Sequence, residues 1–82
     1  MEKTIHSEHA AIIAEKLVSI RKKAKLTQRQ LAARLEREHS FVAHYELGER
    51  RVDLAEFYWI CTACEASPHK EAADLMKSFA KL

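Results

Sequence analysis

Apolar positions along this chain recur at helical spacing, broken at intervals by polar capping residues. Ile13, Leu17, Ile20 and Ala24 fall at i, i+4, i+7 and i+11, one face of a helix predicted over about 7–24. Ser7 can accept hydrogen bonds from its first free amides. Arg21, Lys22, Lys23 and Lys25 crowd its far end, where the helix dipole is negative. Thr27-Gln28-Arg29-Gln30 is a capping box: the Thr27 hydroxyl accepts from the amide three residues on, and Gln30 reaches back to the Thr27 amide. A short helix over roughly 28–35 then presents Leu31, Ala32 and Leu35 on one side. Glu36-Arg37-Glu38 separates it from a second short run, 39–47, with Phe41, Val42 and Tyr45 as its apolar set. Gly48 stands where a left-handed C′ residue would end that run. Asp53 and Glu56 make a second capping-box pair, opening a helix to about Glu65 with Leu54, Phe57, Ile60, Cys61 and Cys64 at helical spacing. Ser67-Pro68 reads as a cap plus first-turn proline, before a last helix to about Ala80 with Leu75, Met76 and Phe79 apolar.

Composition removes the alternatives. The 82 residues hold one Gly and one Pro, where average usage would give about six and about four. A sandwich or barrel needs turn residues about every ten positions, and this chain cannot supply them. A doubly wound α/β fold needs several glycines for its phosphate loops. The expected fold is therefore all-α: one domain over 1–82, a compact five-helix bundle. At this length a single core is thin, so extra burial through oligomerisation is expected.

The informative part is the pair of short helices, 28–35 and 39–47, joined by three residues. Two short helices joined by a tight turn place the second one in the major groove of DNA while the first crosses the backbone. Any two short amphipathic helices would give that coarse pattern, so the residues must decide. The segment Leu26-Thr27-Gln28-Arg29-Gln30-Leu31-Ala32-Ala33-Arg34-Leu35 resembles the L-[TS]-Q-x-x-L-A-x-x-L opening of the phage-repressor (Xre/Cro-like) helix-turn-helix family. The run from Ser40 to Arg51 is similar to that family's second helix and exit, S-x-[IV]-S-x-[YIW]-E-x-G-x-R. The resemblance covers roughly 17–68, about five-eighths of the chain, with the helix over 68–80 beyond it. It implies a lambda-repressor-like bundle whose helices 2 and 3 form the helix-turn-helix.

Site residues follow from that resemblance. Base contacts would come from His39, Ser40, Ala43 and His44, with Glu38 at the helix start. Serine can hydrogen-bond either groove partner, alanine can touch a thymine methyl, and a glutamate can accept from a cytosine amino group. A neutral histidine offers one donor and one acceptor. Backbone contacts would come from Gln28, Thr27, Arg29, Arg37, Arg50 and Arg51, Gln28 standing at a helix N-terminus that favours phosphate. Glu46 would pair with Arg21, holding the motif together and supporting a phosphate contact.

Three acids depart from the family pattern. Glu36 occupies a turn position that is usually Gly or another small residue, and Glu65 replaces a common glycine after the fourth helix. Glu36 and Glu38 set two carboxylates near the DNA end of the reading helix, where phosphate repels them. They keep a second class of function open, a protein-interaction module that retained the fold without binding DNA.

Other chemistry is thin. Cys61 and Cys64 form a C-x-x-C, but a structural zinc site needs four ligands, and only His69 follows. A redox motif of that spacing expects a βαβ context. The simpler expectation is two small hydrophobes on the inner face of a helix, with no metal and no cofactor. No nucleophile, base and oxyanion donor share an arrangement, so an enzyme is not expected. No stretch approaches 18 apolar residues, and residues 1–6 lack the apolar region of a signal peptide; a cytoplasmic protein with reduced thiols is expected. Trp59, Tyr58, Met76, Phe79 and Leu82 exceed the apolar needs of a four-helix core. They are candidates for a homodimer surface, the alternative being that the fifth helix simply closes the core. The partners expected are double-stranded DNA and a second copy; a toxin or antirepressor is left open.

Charge agrees with a DNA-binding face once its distribution is read. The net +2 comes from 14 basic and 12 acidic residues. Residues 16–51 hold ten Lys/Arg and four Asp/Glu, a balance of +6, and the rest holds four and eight, a balance of −4. The motif half is basic and the ends are acidic, as one face set on DNA requires. The expected function is a dimeric transcriptional regulator, more specifically a repressor, of phage-repressor, antitoxin or controller type.

Overall fold

The computed structural model describes residues 7–82; the stretch 1–6, read above for a leader, lies outside them. Five helices follow in order among the described residues: α1 Glu8–Lys23, α2 Gln28–Arg34, α3 His39–Glu46, α4 Leu54–Ala63 and α5 Pro68–Ala80. No described residue is in a strand. α2 ends one residue earlier than the apolar pattern suggests, since Leu35 is its C-cap, so four residues join it to α3.

The starts of α1, α2, α4 and α5 are local capping events. Ser7 accepts from the Ala10 amide at 3.1 Å. Thr27 and Asp53 both close complete capping boxes, with Gln30 and Glu56 reaching back to the cap amides at 2.9 and 3.0 Å. Ser67 caps α5 with Pro68 in the first turn.

The ends repeat one device. Lys25, Glu36, Gly48 and Glu65 are all left-handed, at φ 61°, 55°, 79° and 57°. After α2, for example, Glu36 N donates to Ala33 O at 3.1 Å and Arg37 N to Ala32 O at 2.9 Å. After α3, Gly48 N donates to Tyr45 O and Glu49 N to His44 O in the same pattern. This is the two-bond Schellman closure, for which glycine is the usual residue. Three of its four instances here use a side chain that strains against the left-handed region. At Glu36 and Glu65 a glutamate thus adopts the left-handed geometry that a glycine would favour.

One core joins all five helices. Leu17 and Ile20, Leu31 and Ala32, Phe41, Val42 and Tyr45, Phe57, Ile60 and Cys61, and Leu75 are buried together, with Cys64 beside them. α3 therefore turns Val42 and Tyr45 onto the side where α2 sets Leu31, with Leu35 half-buried against it. Leu54 departs from its expected inward place and is 81% exposed. It is the first residue of α4, and Glu56 takes the buried position in that turn instead. Lys16 ties α1 to α5 through Glu71 at 2.9 Å and Asp74 at 3.6 Å.

Candidate nucleic-acid interface

α3 has two unlike faces. Phe41, Val42 and Tyr45 are buried, while His39 and His44 are exposed and Ser40 and Ala43 half-exposed. The last four share the i, i+1, i+4, i+5 positions of one face, so core packing alone turns these sequence-expected base readers outward. Glu38 is the N-cap of α3 and exposed, yet its side chain makes no capping hydrogen bond. Its carboxylate meets no partner among the described residues.

Behind that face lies a clamp. Arg21 Nε donates to Glu46 Oε2 at 2.7 Å and Nη2 to Oε1 at 3.1 Å, a bidentate pair between α1 and α3. Arg21 Nη1 also donates to the Leu26 carbonyl at 2.9 Å. The Glu46 carboxylate pushes the Arg21 pKa further up, against the opposing effect of burial. Glu46 Oε1 accepts a third donor, Gln28 Nε2 at 2.8 Å. Gln28, expected on a phosphate, is therefore also part of this internal network, its amide oxygen pointing to no described donor. Thr27 and Arg29 are exposed at the α2 start, with the Thr27 hydroxyl already accepting from Gln30 N at 3.0 Å.

A second cluster gathers around Phe41. Arg50 Nη1 and Nη2 donate to Glu56 Oε1 and Oε2 at 3.0 and 2.8 Å. Arg37 Nη1 lies 3.7 Å from the same carboxylate. The arginines hold the Glu56 carboxyl below its ordinary range, Arg50 through its hydrogen bonds being the largest influence, even though burial opposes it. Both guanidinium groups lie over the Phe41 ring, 4.0 Å away for Arg37 and 4.8 Å for Arg50. Arg37 and Arg50, expected together on the phosphate backbone, thus meet at an internal carboxylate; Arg51 is simply exposed. From sequence, the i+3 spacing of Glu56 from Asp53 announces only a cap; its second role lacks any local signal because Arg37 lies nineteen positions away.

The comparisons bear on this geometry. A helix-turn-helix domain model matches residues 12–75. An XRE-family like protein from Pseudomonas syringae pv. tomato str. DC3000 is 35% identical, aligned over 90% of each chain with a TM-score of 0.82. The chain belongs to the XRE-type helix-turn-helix family. Two variants of the restriction–modification controller protein C.Esp1396I share the fold of this XRE-type chain at 21% and 19% identity. Their TM-scores are 0.79 and 0.81, over 92% and 90% of this chain and 95% and 99% of theirs. No curated protein matches it. The XRE-type chain thus has a helix-turn-helix DNA-binding regulator fold.

The remaining candidate residues divide by exposure. Tyr58, Trp59, Met76 and Leu82 are each about half exposed, between 52% and 59%. Phe79, expected with them on a dimer surface, turns inward instead: it packs on the core and sets its ring edge-on to His9, centroids 5.0 Å apart. Its position on α5 faces α1, where His9 and the core meet it. Cys61 and Cys64 are both buried, and burial pushes the Cys61 thiol up to about 11. Among the described residues no three His, Cys, Asp or Glu side chains gather to hold a metal. No described helix is long and apolar enough to cross a membrane.

Proposed function

We propose that the chain is a sequence-specific regulator of transcription that binds double-stranded DNA as a homodimer and represses by occupying a promoter. The observation that carries this reading is the open face of α3. His39, Ser40, Ala43 and His44 point away from a core that fixes the opposite face, and the Arg21–Glu46–Gln28 clamp ties the helix to α1 and α2. A reading helix must be rigid to discriminate bases, because each good base contact is worth only about 1–3 kcal/mol and a loose one is lost. The +6 balance of residues 16–51 supports approach to phosphate. The XRE-family relative supports the regulator class, whereas the controller proteins support the fold alone.

The half-exposed Tyr58, Trp59, Met76 and Leu82, joined by Leu54, support a second copy as partner. Two copies related by a two-fold axis would read two half-sites about one helical turn apart.

Selection of bound duplexes from a random pool tests the whole reading at once. The expected result is a palindrome with half-sites centred about 10 base pairs apart or a multiple of that. If no duplex is retained even at low salt, the chain does not bind DNA and the interaction-module class replaces this one. A retained site without symmetry removes the homodimer.

A further inference from the structure

The two arginines on Phe41 are not equivalent. Arg50 is hydrogen-bonded through both Nη atoms: Nη1 donates to Glu56 Oε1 and, at 2.7 Å, to the Arg51 carbonyl, and Nη2 donates to Glu56 Oε2. Arg37 Nη1 lies 3.7 Å from Glu56 Oε2, beyond hydrogen-bond length, and none of its side-chain N–H groups donates to a described residue. Arg37 nonetheless has a defined place, because its Cζ sits 4.0 Å from the centre of a buried ring. Glu56 carries a single negative charge and spends both oxygens on the Arg50 fork. What reaches Arg37 is the residual Coulomb attraction and the face of Phe41. A guanidinium held over a ring, with five side-chain donors that meet no described acceptor at hydrogen-bond length, is pre-organised for a phosphate and loses little freedom in binding one. Arg37 also has the right place in the chain, in the turn that leads directly into the exposed start of α3.

The geometry points to a division of labour: Arg37 is the phosphate-binding arm of the motif, Arg50 and Glu56 form the brace that fixes the ring beneath it, and Glu56, on α4 outside the helix-turn-helix, is a positioning residue for DNA binding. This rests on the DNA-binding reading above and refines it, since the sequence alone treats Arg37 and Arg50 as alike. Glu56 acts by subtraction. It takes Arg50 out of competition for phosphate and leaves Arg37 as the guanidinium over the ring whose donors stay open among the described residues.

Binding constants for one duplex over a salt series, with a melting temperature for each variant, test the division. Each phosphate neutralised contributes about 0.9 to the slope of log affinity on log salt. Arg37→Gln is expected to flatten the slope by about that amount with the melting temperature unchanged. Arg50→Gln is expected to lower the melting temperature and keep the wild-type slope. Glu56→Gln releases Arg50, so its slope steepens, an effect that loss of a merely structural carboxylate would not produce. A wild-type slope in Arg37→Gln, or an equal flattening in Arg50→Gln, overturns the assignment. A folded Glu56→Gln with the wild-type slope removes the positioning role. If the wild-type chain shows no salt-dependent binding at all, the DNA reading itself has failed, and the two failures are distinct. Should Arg50→Gln or Glu56→Gln not fold, Arg37→Gln still decides, because Arg37 is an exposed turn residue.

Discussion

Arg21 on α1 and Glu46 on α3 meet through two hydrogen bonds of 2.7 and 3.1 Å, with their side chains only 13% and 6% exposed. Twenty-five positions apart in sequence, they fix the angle at which α3 leaves the body of the domain. Removing one partner leaves the other charge buried, so Arg21→Ala and Glu46→Ala should each cost roughly 3 kcal/mol. Glu46→Gln keeps the shape and some of the donors' partners, and should cost less. Denaturant titration of the three variants ranks them; a near-neutral Arg21→Ala would mean that the pair does not hold the motif.

Tyr45 carries a fault of the opposite kind. Its ring is 2% exposed, and its hydroxyl has no hydrogen-bond partner among the described residues. Burial raises its pKa well above the ordinary range, which keeps the phenol neutral. A buried hydroxyl without a partner costs about 1–3 kcal/mol. Tyr45→Phe should therefore stabilise the domain by about 1 kcal/mol, a rise of roughly 4–8 °C in melting temperature at this size. A lower melting temperature would show that the hydroxyl does have a partner.

The left-handed helix ends predict a sign as well as a size. Glu36→Gly and Glu65→Gly relieve backbone strain at φ 55° and 57° and should each add about 0.5–1 kcal/mol. Gly48→Ala should subtract about 1 kcal/mol from backbone strain alone, because an added Cβ meets nothing within 4 Å. Glu36→Gly also removes a carboxylate from the DNA side of the turn, so its affinity should rise on every duplex. Thermal melts and a binding series check both halves.

Base readers and backbone anchors separate by what a variant changes. Ser40→Ala and His44→Ala should shift sequence preference, by about 1–3 kcal/mol at the base pair each one reads. Arg51→Ala should weaken binding on all duplexes alike and reduce the salt slope by about 0.9. Competition between the selected site and random DNA distinguishes them. Equal losses on both for Ser40→Ala and His44→Ala would remove those residues from the groove.

Acid should loosen the Phe41 cluster. The folded Glu56 carboxyl titrates below its ordinary value of 4.5, so its contribution is fully present above that value. The contribution is lost as pH falls through the lowered one. Glu56→Gln should flatten the acid limb of a stability-against-pH curve and leave its neutral limb parallel to wild type. Matching acid limbs in the two proteins would show that Glu56 gains nothing from Arg50.

Local signals made most of the fold legible. Thr27 with Gln30, Asp53 with Glu56, and Ser67 with Pro68 are pairs within three residues, and each starts the helix that its spacing announces. The outward residues of α3 are legible through the family resemblance, and the inward packing of Val42 and Tyr45 turns His44 to the surface. The rest depends on distance. Gln28 meets Glu46 across eighteen positions, and Arg37 and Arg50 converge on a ring that no local pattern links to Glu56. Lys25, Glu36 and Glu65 hide their conformation because glycine, the residue that normally marks it, is missing there. Leu54 and Phe79 exchange their expected surroundings for a similar reason: helical spacing names a face, and only packing against α1 and the core says which way it turns.

The two thiols have a use that follows from their silence. Cys61 is fully buried and Cys64 nearly so, and burial pushes both away from the reactive thiolate form. An alkylating reagent in solution can reach them only when α4 lifts from its neighbours. The rate of labelling at Cys61 is therefore a built-in clock for opening of the domain. Added DNA that grips the closed form would slow that clock without touching either sulfur.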